Sequence, residues 1–91
     1  MSRTVLGQGA DWISKLPAVG VHTVTAAEAS ANAATIATGK SNAAGFIVQI
    51  YRSGGLVGGD AAVGISAGIL TVADGSAYSV TASDVINWIV F

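Results

Sequence analysis

The chain has no cysteine, a single proline, one histidine, and only four basic and five acidic side chains among its 91 residues. Each shortage excludes something. Without cysteine there is no disulfide and no thiolate-bound zinc. With one histidine besides, no metal-ligand cluster can be read from the sequence, and a cation site would have to be built from the oxygens of loop aspartates. The net charge is −1 and the basic residues are scattered, so a nucleic-acid partner is not expected. No apolar run approaches the ~20 residues of a membrane-spanning helix. The first residues, Met-Ser-Arg-Thr-Val-Leu-Gly-Gln-Gly, lack the apolar core of a secretory signal. The expectation is a protein made in the cytoplasm, with no membrane partner.

What is present is small and apolar. The hydrophobic fraction is 52%, and much of it is alanine. A folded monomer of this length exposes about 4,900 Å², which leaves each charge alone on roughly 540 Å² of surface. An ordinary domain carries more than twice that density of charge. A thin polar coat over a core of small side chains predicts extensive association with other chains. The plainer alternative is a surface kept soluble by Ser, Thr, Asn, Gly and Ala.

Residues 1–20 differ from the rest in holding Trp12 and the only proline, Pro17. They show no sustained alternation and no long helical stripe, and they read as an extended N-terminal arm before a β domain at 21–91. The alternative is a segment folded back on its own domain with Trp12 as a plug. As an arm it would anchor on a neighbour through Val5, Leu6, Trp12, Ile13 and Leu16.

Val21–Thr25 is strand-like, being rich in stiff β-branched residues. His22 lies within it and reads as a surface or hydrogen-bonded group, with no titratable partner near it in sequence. Thr25-Ala-Ala-Glu28 matches a capping box, followed by an alanine-rich stretch that predicts a turn or one helical turn before a strand at 33–38. Gly39-Lys40-Ser41 suggests a phosphate loop, but position 34, where that motif needs glycine, is alanine, so a tight connection between strands is expected.

Gly45–Arg52 is the clearest strand, with Phe46, Val48 and Ile50 on the core face and Ile47, Gln49 and Tyr51 on a second, amphipathic face suited to a subunit boundary. Turns follow at 53–55, 58–60 and 67–68, with Val63 and Ile65 alternating between them. Asp74-Gly75 predicts a tight hairpin joining strands at 69–73 and 77–81. The last run, Val85–Phe91, is apolar on both faces, as in a strand held between layers or at an interface. Trp88 and Phe91 are its candidate buried anchors, and Arg52 or Arg3 its candidate partners for the terminal carboxylate. Turn signals at such short intervals predict an all-β fold, a small β-sandwich or barrel of about seven short strands.

No catalytic constellation stands out. Asp11, Glu28, Asp60, Asp74 and Asp84 are dispersed, mostly at turns and caps, where carboxylates bond nearby backbone N–H groups. The many serines form no readable triad with His22. The reading is a non-enzyme, with no catalytic, cofactor-binding or metal-binding residues and no cofactor.

The stretch Gly45-Phe-Ile-Val-Gln-Ile-Tyr-Arg-Ser-Gly-Gly, with Gly68 to Phe91 (Gly-Ile-Leu-Thr-Val-Ala-Asp-Gly-Ser-Ala-Tyr-Ser-Val-Thr-Ala-Ser-Asp-Val-Ile-Asn-Trp-Ile-Val-Phe), resembles small virion proteins of tailed bacteriophages. The resemblance spans roughly residues 33–91, and the arm departs from it. It implies a capsid decoration, or cement, protein that binds the outer shell and holds neighbouring coat subunits together. The implied partners are the major capsid protein and further copies of the chain, a trimer being favoured, and the implied place is the capsid surface. Expected interface residues are Val5, Leu6, Trp12, Ile13 and Leu16 of the arm with Tyr51, Trp88 and Phe91 of the domain. Two other readings stand beside it: a tail, fibre or head-fibre module, and an unrelated carbohydrate- or protein-binding β-sandwich using Tyr51, Tyr78 or Trp88.

Overall fold

The computed structural model describes residues 16–91. Among them are β1 (Ala18–Thr23), α1 (Ala26–Ala31), β2 (Ala33–Ala37), β3 (Phe46–Arg52), β4 (Gly55–Val57), β5 (Ala62–Ser66), β6 (Ile69–Ala73) and β7 (Val85–Val90). They form two antiparallel sheets, one ordered β1-β7-β3-β4 and the other β2-β6-β5. The fold is therefore all-β, and of the sandwich or barrel that the turn spacing predicts it is the sandwich. Strand β1 begins at Ala18, three residues before the expected Val21.

The core lies between the sheets, and it is aliphatic. Ile50, Leu70, Ile86, Val72 and Val90 are the largest apolar side chains sealed from solvent, with Ala34, Ile36, Val24, Tyr78 and Val80 around them. The period-two pattern selects the core face in β3, where Phe46, Val48 and Ile50 turn inward, and in β5, where Val63 and Ile65 do. Trp88 also points inward, partly buried against this cluster. Its indole lies over Gly20, its neighbour across the ladder, where any side chain would collide with the ring.

The helix α1 is six residues long and starts with the expected capping box: Thr25 Oγ1 accepts from the Glu28 N–H, and the Glu28 carboxylate accepts from the Thr25 N–H. Asn32 ends it in the left-handed conformation.

Two expectations are corrected. Residues 77–81 form no strand, and Asp74-Gly75 joins no hairpin. Both edges of β6 are already taken, by β2 and β5. The following segment is instead held by carboxylates. Asp60 accepts from the Ala77 and Tyr78 N–H groups, and Asp74 from the Val80 N–H at 2.7 Å. Gly75 is needed for close approach, since a methyl group there would overlap the Asp60 carbonyl. Tyr78 and Val80 still alternate into the core. Phe91, the second, is half-exposed rather than a buried anchor, because it lies past the end of β7 with its ring against Gly45. Its backbone oxygen accepts from the Ala44 and Gly45 N–H groups, and Arg52 is engaged elsewhere.

Candidate interaction surface

The two sheets bury their inner faces against each other and leave two outer faces. On the four-stranded sheet the ladder register aligns outward side chains in three rows across the strands. The first row is Val19, Ile89 and Ile47; the second is Val21, Asn87 and Gln49; the third is Thr23, Val85, Tyr51 and Leu56. None is charged. Val19 is 67% exposed, Val21 68%, Ile47 54%, Leu56 64% and Ile89 38%. Singly exposed aliphatics are ordinary, whereas a contiguous patch of them is uncommon on an isolated soluble domain. A hollow of about 310 Å³ lies on this face, bordered by Val19, Val21, Ile47, Gln49, Asn87 and Ile89.

The outer face of the three-stranded sheet is built differently. Its rows are Ala37, Ile69 and Ser66; Thr35, Thr71 and Gly64; and Ala33, Ala73 and Ala62. Ile69 is the single large apolar residue among them, and the rest are small or hydroxylated.

Polar side chains gather mainly in two hubs that hold the fold together. Asp84 is buried, and its carboxylate accepts from Arg52 Nε at 2.9 Å, Arg52 Nη2 at 3.0 Å and the Tyr78 hydroxyl at 2.9 Å. Arg52 also donates to the Ser79 carbonyl and the Thr81 hydroxyl, with its guanidinium 5.7 Å from the centre of the Tyr78 ring. The Arg52 guanidinium holds the Asp84 carboxyl below the usual carboxylate range. Burial, then the bond to Asp84, pushes the Tyr78 hydroxyl up to about 12.

A second hub joins the two sheets. Glu28 accepts from the Thr35 N–H of β2 at 3.1 Å and lies 2.8 Å from His22 Nε2 of β1. Burial raises its pKa, but bonds from the Thr25 N–H, His22 and the Thr35 N–H outweigh that and lower it. His22 is thus hydrogen-bonded, as expected, but it does have a titratable partner six positions along the chain. Among the described residues, no three His, Cys, Asp or Glu side chains are grouped to hold a metal ion.

The residues singled out from the sequence fall in four places. Tyr51 lies on the outer face of the four-stranded sheet, beside Leu56 and Val85. Trp88 turns inward from the same sheet, and Phe91 sits at its end. Leu16 is exposed beside a second hollow, formed with Pro17, Ala18 and residues 39–42. Val5, Leu6, Trp12 and Ile13, with most of the 1–20 arm, lie outside the described residues. Tyr51, Tyr78 and Trp88 are not brought together into one aromatic-lined pocket, for Tyr78 is buried with Asp84. Sequence reasoning missed Val19 and Val21 as part of a surface, and the only signal for them was their alternation with Gly20.

Fold and surface together define a small β-sandwich with an uncharged apolar face and, among the described residues, no group of three His, Cys, Asp or Glu side chains. No protein-family model, curated protein or solved structure matches the chain.

Proposed function

We propose that this chain is a non-catalytic structural protein that works by packing against other protein chains, as a decoration protein on the outer shell of a virion. The observation that carries the proposal is the uncharged outer face of the four-stranded sheet, with Val19, Val21, Ile47, Leu56 and Ile89 open to solvent. Burying apolar surface yields roughly 25 cal/mol per Å², so such a face gains from being covered by protein. The viral setting rests on the sequence resemblance of residues 33–91. In that setting a domain bound only to the finished shell shifts the shell toward that state by mass action. Residues 1–16 supply the contact to the coat in this reading.

Quantitative mass spectrometry of purified particles tests it. A copy number comparable to that of the major shell protein is the expected result. A handful of copies would instead favour a tail or fibre module, and absence from particles would overturn the viral reading. Deleting residues 1–16 is expected to leave a folded domain that no longer binds the shell; unchanged binding would contradict the arm's role.

A further inference from the structure

We infer that the outer face of the four-stranded sheet pairs with the same face of a second copy, about a twofold axis running along the row Val21–Asn87–Gln49. The inference rests on the reading of this face as a packing surface, and it names the occupant.

When two identical faces meet, the twofold axis lies in the plane of contact. An axis along the central row lays each residue of that row against its own copy. A carboxylate or an ammonium there would be repelled by itself, and the row contains neither. Its two polar members are primary amides, and a primary amide carries both donors and an acceptor. Asn87 facing Asn87 and Gln49 facing Gln49 can therefore exchange N–H···O bonds reciprocally, and Val21 meets Val21 without loss. The same operation lays Ile89 over the second copy's Val85 and Ile47 over its Tyr51. That brings the second copy's Tyr51 ring to the hollow of about 310 Å³ that Ile47, Gln49 and Asn87 help to border. A lipid surface would call for basic residues around the patch, and the rows hold none.

Area sets the strength. Strands about 4.8 Å apart and like-facing residues about 6.8 Å apart give a patch near 20 by 20 Å, so about 800 Å² would be buried over both copies. That is roughly half of a standard interface, which makes the pair weak and concentration-dependent. Copies held side by side on a larger assembly would pair more fully, through their raised local concentration.

Because the chain has no cysteine, single-cysteine variants of the full chain report the contact directly. Facing sheets lie about 10 Å apart, within reach of a short bis-maleimide. Val21→Cys should cross-link to a dimer at least tenfold more than Ala62→Cys, which lies on the other sheet. Sedimentation equilibrium of the unmodified chain should show monomer and dimer exchanging in the high-micromolar range. Asn87→Asp, placing two carboxylates on the axis, should weaken that equilibrium at least tenfold with an unchanged circular dichroism spectrum. A monomer at ~1 mM, a trimer, equal cross-linking at both positions or an Asn87→Asp variant that pairs normally would each overturn the inference. The particle count is independent of these outcomes, so many copies on a particle with no pairing would refute the twofold contact alone.

Discussion

The two sheets share one core but differ on the side turned away from it. The three-stranded sheet presents Thr35, Thr71, Ser66 and alanines, with Ile69 alone among the large apolar residues. The four-stranded sheet presents Val19, Val21, Ile47, Leu56 and Ile89 with no charge between them. The difference concerns what each sheet meets. On the proposed reading, water suits the first and a second protein surface suits the other. Polar strength is kept away from both, in the hubs centred on Asp84 and Glu28.

Strand β7 carries both faces and gives the sharpest contrast. Ile86, sealed in the core, should cost about 4 kcal/mol as Ile86→Ala, measured by chemical denaturation. Ile89→Ala, three positions along and turned outward, should cost less than about 1 kcal/mol in the same assay. Equal costs would mean that the outer face is packed within the monomer.

Next in size is the hub. Asp84→Ala leaves a buried tyrosine hydroxyl without its acceptor and removes the partner of Arg52, a loss of about 3 kcal/mol. The hub, together with Asp60, also sets two pH limits. Asp84 has its folded pKa lowered by Arg52, and Asp60 has its own lowered chiefly by the Ala77 N–H. Their contribution is complete above the ordinary carboxylate value near 4 and is lost as pH falls through the depressed folded values. Tyr78 is raised to about 12, so its neutral form contributes fully below the ordinary tyrosine value of about 10. That part is lost as pH rises toward the folded value. Thermal melts across pH should show both limbs, and Tyr78→Phe should flatten the alkaline one.

The smallest effects distinguish the two outer faces. Val21→Lys and Ala62→Lys should each change monomer stability by no more than about 0.5 kcal/mol. The first should abolish self-association and the second should leave it intact.

Much of this architecture is legible in the sequence because its signals are local. Phe46, Val48 and Ile50 alternate with Ile47, Gln49 and Tyr51, and that alternation assigns both faces of β3. Thr25 and Glu28 announce the start of α1. What is not legible depends on partners distant in the chain. Arg52 and Asp84 are 32 positions apart, and nothing beside either one names the other. Asp74 and Gly75 have the composition of a hairpin turn, but both edges of β6 are occupied by strands that local pattern does not rank. Six of the ten outward residues lie on β3 and β7, where the alternation shows them. The two rows that continue through Val19 and Val21 depend on the pairing of β1 with β7, which joins the two ends of the described chain.

The central claim is that only one of the two outer faces is made to be covered. Solvent exposure of isoleucine and valine methyl groups, measured by NMR with a soluble paramagnetic probe at rising protein concentration, tests it residue by residue. The methyls of Val19, Val21, Ile47 and Ile89 should lose exposure as concentration rises, while Ile69 on the other sheet stays constant. Unchanged exposure at all of these positions, or protection of Ile69 in their place, would contradict the account.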